Sequence, residues 1–185
     1  MKRLIAALLA GLTLFALVGC SAGSKADSAA PKDYSQILHD ARTDEENEYD
    51  MIFTKGEDGK FTAIDGYSAE YEAGQLDDEV RSILLPLLNL EDDMYTDLAA
   101  SISAMMVRSY AVAIVKPAEG KTQDVVDAMD AYVQSQQKSM EHYLEDQYQI
   151  ASAARVATVP TGEVVMVCCE DSDTVFENIK KALAA

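Results

Sequence analysis

Tryptophan is absent from this 185-residue chain, histidine occurs twice, cysteine three times and proline four times. So few His and Cys leave little material for a zinc or haem site, and three cysteines cannot frame a disulfide scaffold. Basic residues are scarce as well. Fifteen Lys plus Arg stand against 32 Asp plus Glu, a formal net charge of −17. A chain of that sign lacks the cations that displace counterions from phosphates, so nucleic acid is excluded as a partner. Electrostatic adsorption to anionic lipid is excluded on the same ground. The chain contains no G-x-S-x-G, no Walker loop, no H-E-x-x-H and no G-x-G-x-x-G. The composition is neither fibrous nor collagen-like, and the length suits one domain with a real core, alone or with an extension.

What is present begins with an address. Lys2 and Arg3 precede an apolar stretch from Leu4 to Val18 that is too short to span a bilayer, which takes about 20 residues. Leu17-Val18-Gly19-Cys20 then resembles the bacterial lipobox. That resemblance implies a signal peptide over residues 1–19, diacylglyceryl transfer to the Cys20 thiol, cleavage before Cys20 and acylation of the new N-terminus. Cys20 is thus the expected lipid-attachment residue, and the expected location is the outer face of the cell membrane. Each buried methylene adds about 0.8 kcal/mol, so two acyl chains hold where one dissociates. Loss of Lys2 and Arg3 would take the net charge from −17 to −19. Residues 20–32 hold the lipidated Cys and a small-residue, polar stretch that reads as a flexible tether. It spans on the order of 20 Å.

Apolar content places the next boundary. Leu, Ile, Val and Phe make up 7 of the 60 residues from Cys20 to Glu79, but 27 of the 106 from Val80 onward. Residues 33–89 therefore read as an acidic N-terminal extension, helical or irregular, and residues 90–185 as an α+β core domain. Within the extension, Tyr34, Ile37, Leu38 and Ala41 fall on one helical stripe. Met51 to Phe53 and Phe61 to Ile64 flank Gly56-Glu57-Asp58-Gly59, a hairpin pattern. Pro86 should break or kink a helix in the apolar stretch from Val80 to Leu90.

The core is expected to run strand, strand, helix, strand, strand, helix, an antiparallel sheet of about four strands with one long and one C-terminal helix. For residues 94–105 both strand and helix periods fit. Tyr110 to Val115 is an apolar strand stopped at Lys116-Pro117. A long helix follows from about Gly120, with a bend near Glu145-Asp146. A hairpin turns at Pro160-Thr161-Gly162, and the last helix buries Val175, Phe176, Ile179, Ala182 and Leu183. Both strands of the better-defined pair are apolar on both faces: Tyr110, Val112 and Ile114 oppose Ala111, Ala113 and Val115, and Val164, Met166 and Cys168 oppose Val165, Val167 and Cys169. Even one wetted face would call for alternation of apolar with polar residues, so the sheet is expected to be covered on both faces. The two long helices are expected on one face, leaving the other to residues 34–90, a second copy or a partner.

The segments SISAMM (101–106), YAVAIVKPAEGK (110–121) and QQKSMEHYLEDQYQIASAA (136–154), with the Gly162 hairpin and the closing helix, resemble a family. It is a family of small lipoproteins of Gram-positive gut bacteria known as domain of unknown function 4358. The resemblance runs from about Leu90 to Leu183, and the lipobox fits it. The family implies no activity, ligand or catalytic residue.

Other patterns point weakly to chemistry. Ser135-Gln136-Gln137-Lys138 matches S-x-x-K but lacks S-x-N and K-T-G, so it reads as a solvated helix face. Cys168 and Cys169 should point to opposite faces of a strand as buried hydrophobes. His39 and His142, each beside an acid, read as exposed helix residues. Asp44 to Asp50 reads as a solvated acidic face or loop. Asp171-Ser172-Asp173 starts like a calcium loop, but Val175 and Phe176 replace the next ligand and the Gly. Asp77-Asp78-Glu79 and Glu91-Asp92-Asp93 read as helix-start acids. No catalytic, cofactor-binding or metal residue is assigned, and no cofactor is expected. The reading is a non-enzymatic, membrane-anchored binding or scaffolding module. Its partners would be the membrane through Cys20, an unknown protein or envelope component, and a second copy of itself. The alternative is an envelope hydrolase with an unrecognised active site, for which Ser101 and Ser135 are candidate nucleophiles without a visible base.

Overall fold

Capping chemistry starts the first two helices. Asp33 accepts from Gln36 N at 3.0 Å and opens α1 (Tyr34–Ala41). Thr43 and Glu46 form a reciprocal capping box at the start of α2 (Asp44–Tyr49), satisfying two N–H groups that a helix otherwise leaves orphaned. The computed structural model describes residues 32–185 apart from 73 and 106. Cys20 and the tether through residue 31 lie outside the described residues.

Next comes a hairpin of β1 (Ile52–Lys55) and β2 (Phe61–Ile64), in the expected place. The chain then runs through α3 (Gln75–Glu79), a wide π turn (Val80–Leu84) and α4 (Leu85–Leu87). Pro86 lacks the N–H that would bond back to residue 82, and it sits directly after the widened turn, where the helix register already changes. β3 (Tyr95–Ile102) and β4 (Ala111–Pro117) follow, so the strand reading of residues 94–105 is the right one. The long helical pattern divides as anticipated. α5 (Thr122–Met140) ends in turns, and α6 (Glu145–Ser152) starts at the expected break. The chain closes with β5 (Arg155–Thr158), β6 (Val164–Cys168) and α7 (Ser172–Leu183).

The fold is α+β, but the sheet has six antiparallel strands, not about four, in the order β2-β1-β3-β4-β6-β5. β1 pairs with β3 through Phe53 opposite Ala100 and Thr54 opposite Ala99. The stretch expected to be a helical or irregular extension thus adds two strands to the sheet. Gly66, with φ +47°, closes this region, because a Cβ there would stand 2.6 Å from Met51 N. At the other edge, Gly162 at φ +102° makes the β5–β6 turn.

The alternation on β4 and β6 holds. Ala111, Ala113, Val115, Val164, Met166 and Cys168 pack into one core, and Tyr110, Val112, Ile114, Val165, Val167 and Cys169 into the other. The covers are arranged differently from the expectation. α5 lies on the first face with Val125, Met129 and Tyr132, and α7 on the second with Val175, Phe176, Ile179 and Leu183. The two helices straddle the sheet. The N-terminal half contributes to both faces, Leu76, Val80, Leu84 and Leu88 joining α5, and Tyr34 and Leu38 joining α7. Fully buried side chains such as Phe53, Leu98, Ile114 and Ile179 each contribute about 1.5–3 kcal/mol of transfer free energy. Among the described residues, no helix is long and apolar enough to cross a membrane.

Candidate functional site

Three elements end together at one end of the sheet: β3 leads into residues 103–110, β4 starts after them, and β6 runs into the start of α7. α2 and α6 flank this end. Between them lies a cleft of about 630 Å³, within the range of small-molecule sites. Its lining includes Glu45, Glu46, Tyr49 and Asp50 from α2 and the residue after it, Met105 to Tyr110 in part, Gln147 and Ile150 from α6, and Cys169 to Asp171 with Val175.

Two of the lining residues, Asp50 and Tyr110, are held by a buried arginine outside the lining. Arg42, directly after α1, has a fully buried side chain. Its Nε and Nη2 donate to Asn47 Oδ1 at 3.0 and 2.7 Å, and Nη2 also to Asp65 Oδ2 at 3.1 Å. Nη1 donates to the Asp50 carbonyl at 3.1 Å, Ser101 Oγ at 2.8 Å and Tyr110 Oη at 3.1 Å. One side chain thereby ties α2, the loop after β2, β3 and the start of β4. Above it, Arg108 grips the Asp50 carboxylate with both amino groups, at 2.6 and 2.8 Å, and lies 4.3 Å over the Tyr110 ring. Bidentate geometry of this kind fixes orientation as well as adding attraction.

Ser109 sits in the cleft at 2 % exposure. Its N–H donates to Gln147 Oε1 at 2.8 Å, while its Oγ has no hydrogen-bond partner among the described residues. Buried polar atoms are nearly always paired, so an unpaired one in a cleft marks a place for a ligand or water. Nearby, burial, reinforced by the Glu46 carboxylate, pushes the Cys169 thiol up to about 11, so it stays protonated at neutral pH.

The sequence candidates scatter. Ser135 and Lys138 are exposed on α5. Ser101 is buried and accepts from Arg42. Cys168 and Cys169 are free, buried and on opposite faces as expected, and burial holds Cys168 up to about 12. His39, expected to be exposed, is partly covered, with Nδ1 2.8 Å from Asp65 Oδ2, because the buried Arg42 draws Asp65 against α1. His142 is exposed. The acidic run ending at Asp50 is only partly a solvated face, since Glu46 caps α2 and Asp50 pairs with Arg108. Asp77 does start a helix, but Glu91-Asp92-Asp93 leads into β3, where strand pairing to β4 overrides the helical signal. There Asp92 pairs with Arg81 and Asp93 with Lys121. Asp173 pairs with Arg155, and Asp171 alone of its triplet lines the larger cleft. Among the described residues, no group of three or more His, Cys, Asp or Glu is placed to hold a metal ion. Sequence reasoning missed Arg42, Arg108 and Ser109, none of which carries a local motif.

A family model described as a domain of unknown function (DUF4358) matches residues 68–169. No curated protein and no solved structure matches the chain. The matched span covers β3 to β6, while α1, α2, the β1–β2 hairpin and α7 lie outside it. The cleft is therefore built from both matched and unmatched segments.

Proposed function

The chain belongs to the family known as domain of unknown function 4358, and from that premise we propose a non-enzymatic binding or scaffolding module, anchored outside the cell membrane through a lipid on Cys20. One observation carries the binding reading: the cleft has a buried, unpartnered hydroxyl at Ser109 and no histidine among its lining residues. A serine or cysteine nucleophile needs a base within hydrogen-bond reach or a depressed pKa. Ser109 Oγ has no base within hydrogen-bond reach among the described residues, and the Cys169 thiol is held protonated. Such a site suits holding a ligand rather than attacking one.

The described chain enters the domain away from the cleft. Lys32 Nζ donates to the Leu183 carbonyl at 2.5 Å and stands 3.4 Å from the buried Glu163, at the far end of α7 from the cleft. The twelve residues of α7 separate the two by about 18 Å at 1.5 Å per residue. A tether from a lipidated Cys20 would therefore join the domain at the end of α7 opposite the cleft.

Intact mass of membrane-extracted protein tests the anchor. It should equal residues 20–185 plus at least a diacylglyceryl group, and Cys20→Ala should remove the lipid. A mature form starting elsewhere without lipid contradicts the anchor. Incubation with ester, peptide and peptidoglycan substrates tests the module. No turnover is expected, and turnover abolished by Ser101→Ala, Ser109→Ala or Ser135→Ala would show the envelope hydrolase instead.

A further inference from the structure

We propose that the cleft between α2, α6 and the start of α7 takes an aliphatic ammonium ligand, a cation carried on a short apolar chain, as in a linear polyamine or a lysine side chain. The inference rests on the binding-module reading and names its ligand class. Charge is the first ground. Five carboxylates line the cleft (Glu45, Glu46, Asp50, Glu170 and Asp171) against one cation, Arg108. Arg108 is already neutralised by Asp50, and Glu46 is engaged with Thr43 in the capping box. Glu45 on one wall and Glu170 and Asp171 on the other have no ion-pair partner among the described residues. The start of α7 would by its dipole attract an anion, but Glu170 and Asp171 stand on that very terminus and reverse its sign.

The second ground is independent of the carboxylates. Ser109 is a lining residue whose Oγ is buried behind the cleft surface and unpartnered, and a hydroxyl has lone pairs to accept from an N–H donor. Third, the rim is apolar where a hydrated inorganic cation would want oxygen. Met105, Val107 and Tyr49 are 59 %, 50 % and 61 % exposed, and Ile150 and Val175 lie beside them. Methylenes can cover that surface while a terminal ammonium reaches the carboxylates. A bare divalent ion matches only half of this lining, and an organic cation matches all of it.

Isothermal titration of the full chain in detergent, with spermidine at about 0.15 M salt to screen diffuse attraction, tests the proposal. One saturable site is expected. The double variant Glu170→Gln/Asp171→Asn should weaken it at least about tenfold, a change of about 1.4 kcal/mol, and Ser109→Ala should weaken it as well. A remote control, Glu57→Gln/Glu119→Gln, removes the same charge from exposed positions and should stay within about twofold. Variants are compared only where melting temperature matches the wild type, and Glu45→Gln serves as a second cleft variant if the double one is unstable. Displacement of spermidine by acetyl-lysine amide, but not by its Nε-acetylated form, identifies a lysine side chain as a source. Failure of both to displace it identifies the free polyamine. Equal weakening by the remote control, or no saturable heat, overturns the proposal. Absence of heat together with a lipidated Cys20 mass overturns the ligand class alone and leaves the anchored module standing.

Discussion

Replacing Arg42 by methionine keeps most of the side-chain volume but removes every donor of the guanidinium that holds Asp50 and Tyr110 in the cleft wall. The cost can be worked from the contacts. Ser101 Oγ and Tyr110 Oη, on residues 1 % and 2 % exposed, lose their shared donor, and each such loss costs about 1–3 kcal/mol. Asp65 loses its guanidinium partner and keeps only His39. The Asp50 carbonyl and Asn47 lose theirs as well. Because these groups form one network the losses do not add, and removal of one partner from a buried ion pair costs about 3–5 kcal/mol. For a chain of this size that corresponds to a drop in melting temperature of about 6–20 °C. The comparison is Arg81→Met. Arg81 pairs with Asp77 and Asp92, but it is one-third exposed, so its loss should cost about 1 kcal/mol or less. Thermal and urea unfolding of both variants measure the contrast. Equal, small effects of the two substitutions would refute the assignment of Arg42 as the hub of the site.

Three further outcomes follow from the same structure. Burial would raise the Glu163 carboxyl, but bonds from Thr161 and its own backbone N–H, then Tyr34 and the Lys32 ammonium, outweigh burial and hold it below the usual carboxylate range. Its folded value lies below its unfolded one, so its contribution is present above the ordinary value of 4.5 and disappears as pH falls through the folded value. Melting scans from about pH 6 to about pH 3 should show wild type converging on Glu163→Gln, and a constant gap would contradict this. EDTA should shift the melting temperature by less than about 5 °C, because no cluster of three or more ligating side chains is placed to hold a metal ion among the described residues, and a larger drop would reveal a structural ion. Deleting residues 21–79 removes α1, α2, the β1–β2 hairpin and α3, bares the edge of β3 and uncovers part of both cores. The truncated chain should bind hydrophobic dye and self-associate, and a monomeric, dye-free product with unchanged melting would contradict the packing.

Much of the sheet was legible because its centre obeys a single rule. Residues 110–115 and 164–169 are apolar at every position, which only a strand covered on both faces tolerates. Both hairpins announced themselves through glycine turns. That the first hairpin joins the sheet as its edge was not legible, because Ile52, Phe53 and Phe61 are diluted among acidic loops and their segment averages out as poor in core residues. The placement of α5 and α7 on opposite faces was likewise hidden, since amphipathic stripes state that a face is buried without stating against which side of the sheet. The site was least legible. Arg42 reaches partners 5 to 68 residues away, and Ser109 is an ordinary serine until its neighbours pack around it. Contacts of that sequence separation leave no local pattern.

The account's central claim is an anchored module that presents its cleft outside the cell, and one labelling measurement reaches it directly. Cys168 and Cys169 are buried with thiols held up to about 12 and about 11, so they are poor targets for a maleimide. Cys20 is blocked in the lipidated form and is a third thiol otherwise, so labelling of the variant is read against labelling of the wild-type chain. Tyr49, 61 % exposed on the rim of the cleft, is the position to change, as Tyr49→Cys in the otherwise natural chain. A membrane-impermeant maleimide should label this variant in intact cells as fast as it labels the purified protein. Labelling that appears only after the cells are broken open would contradict the claim.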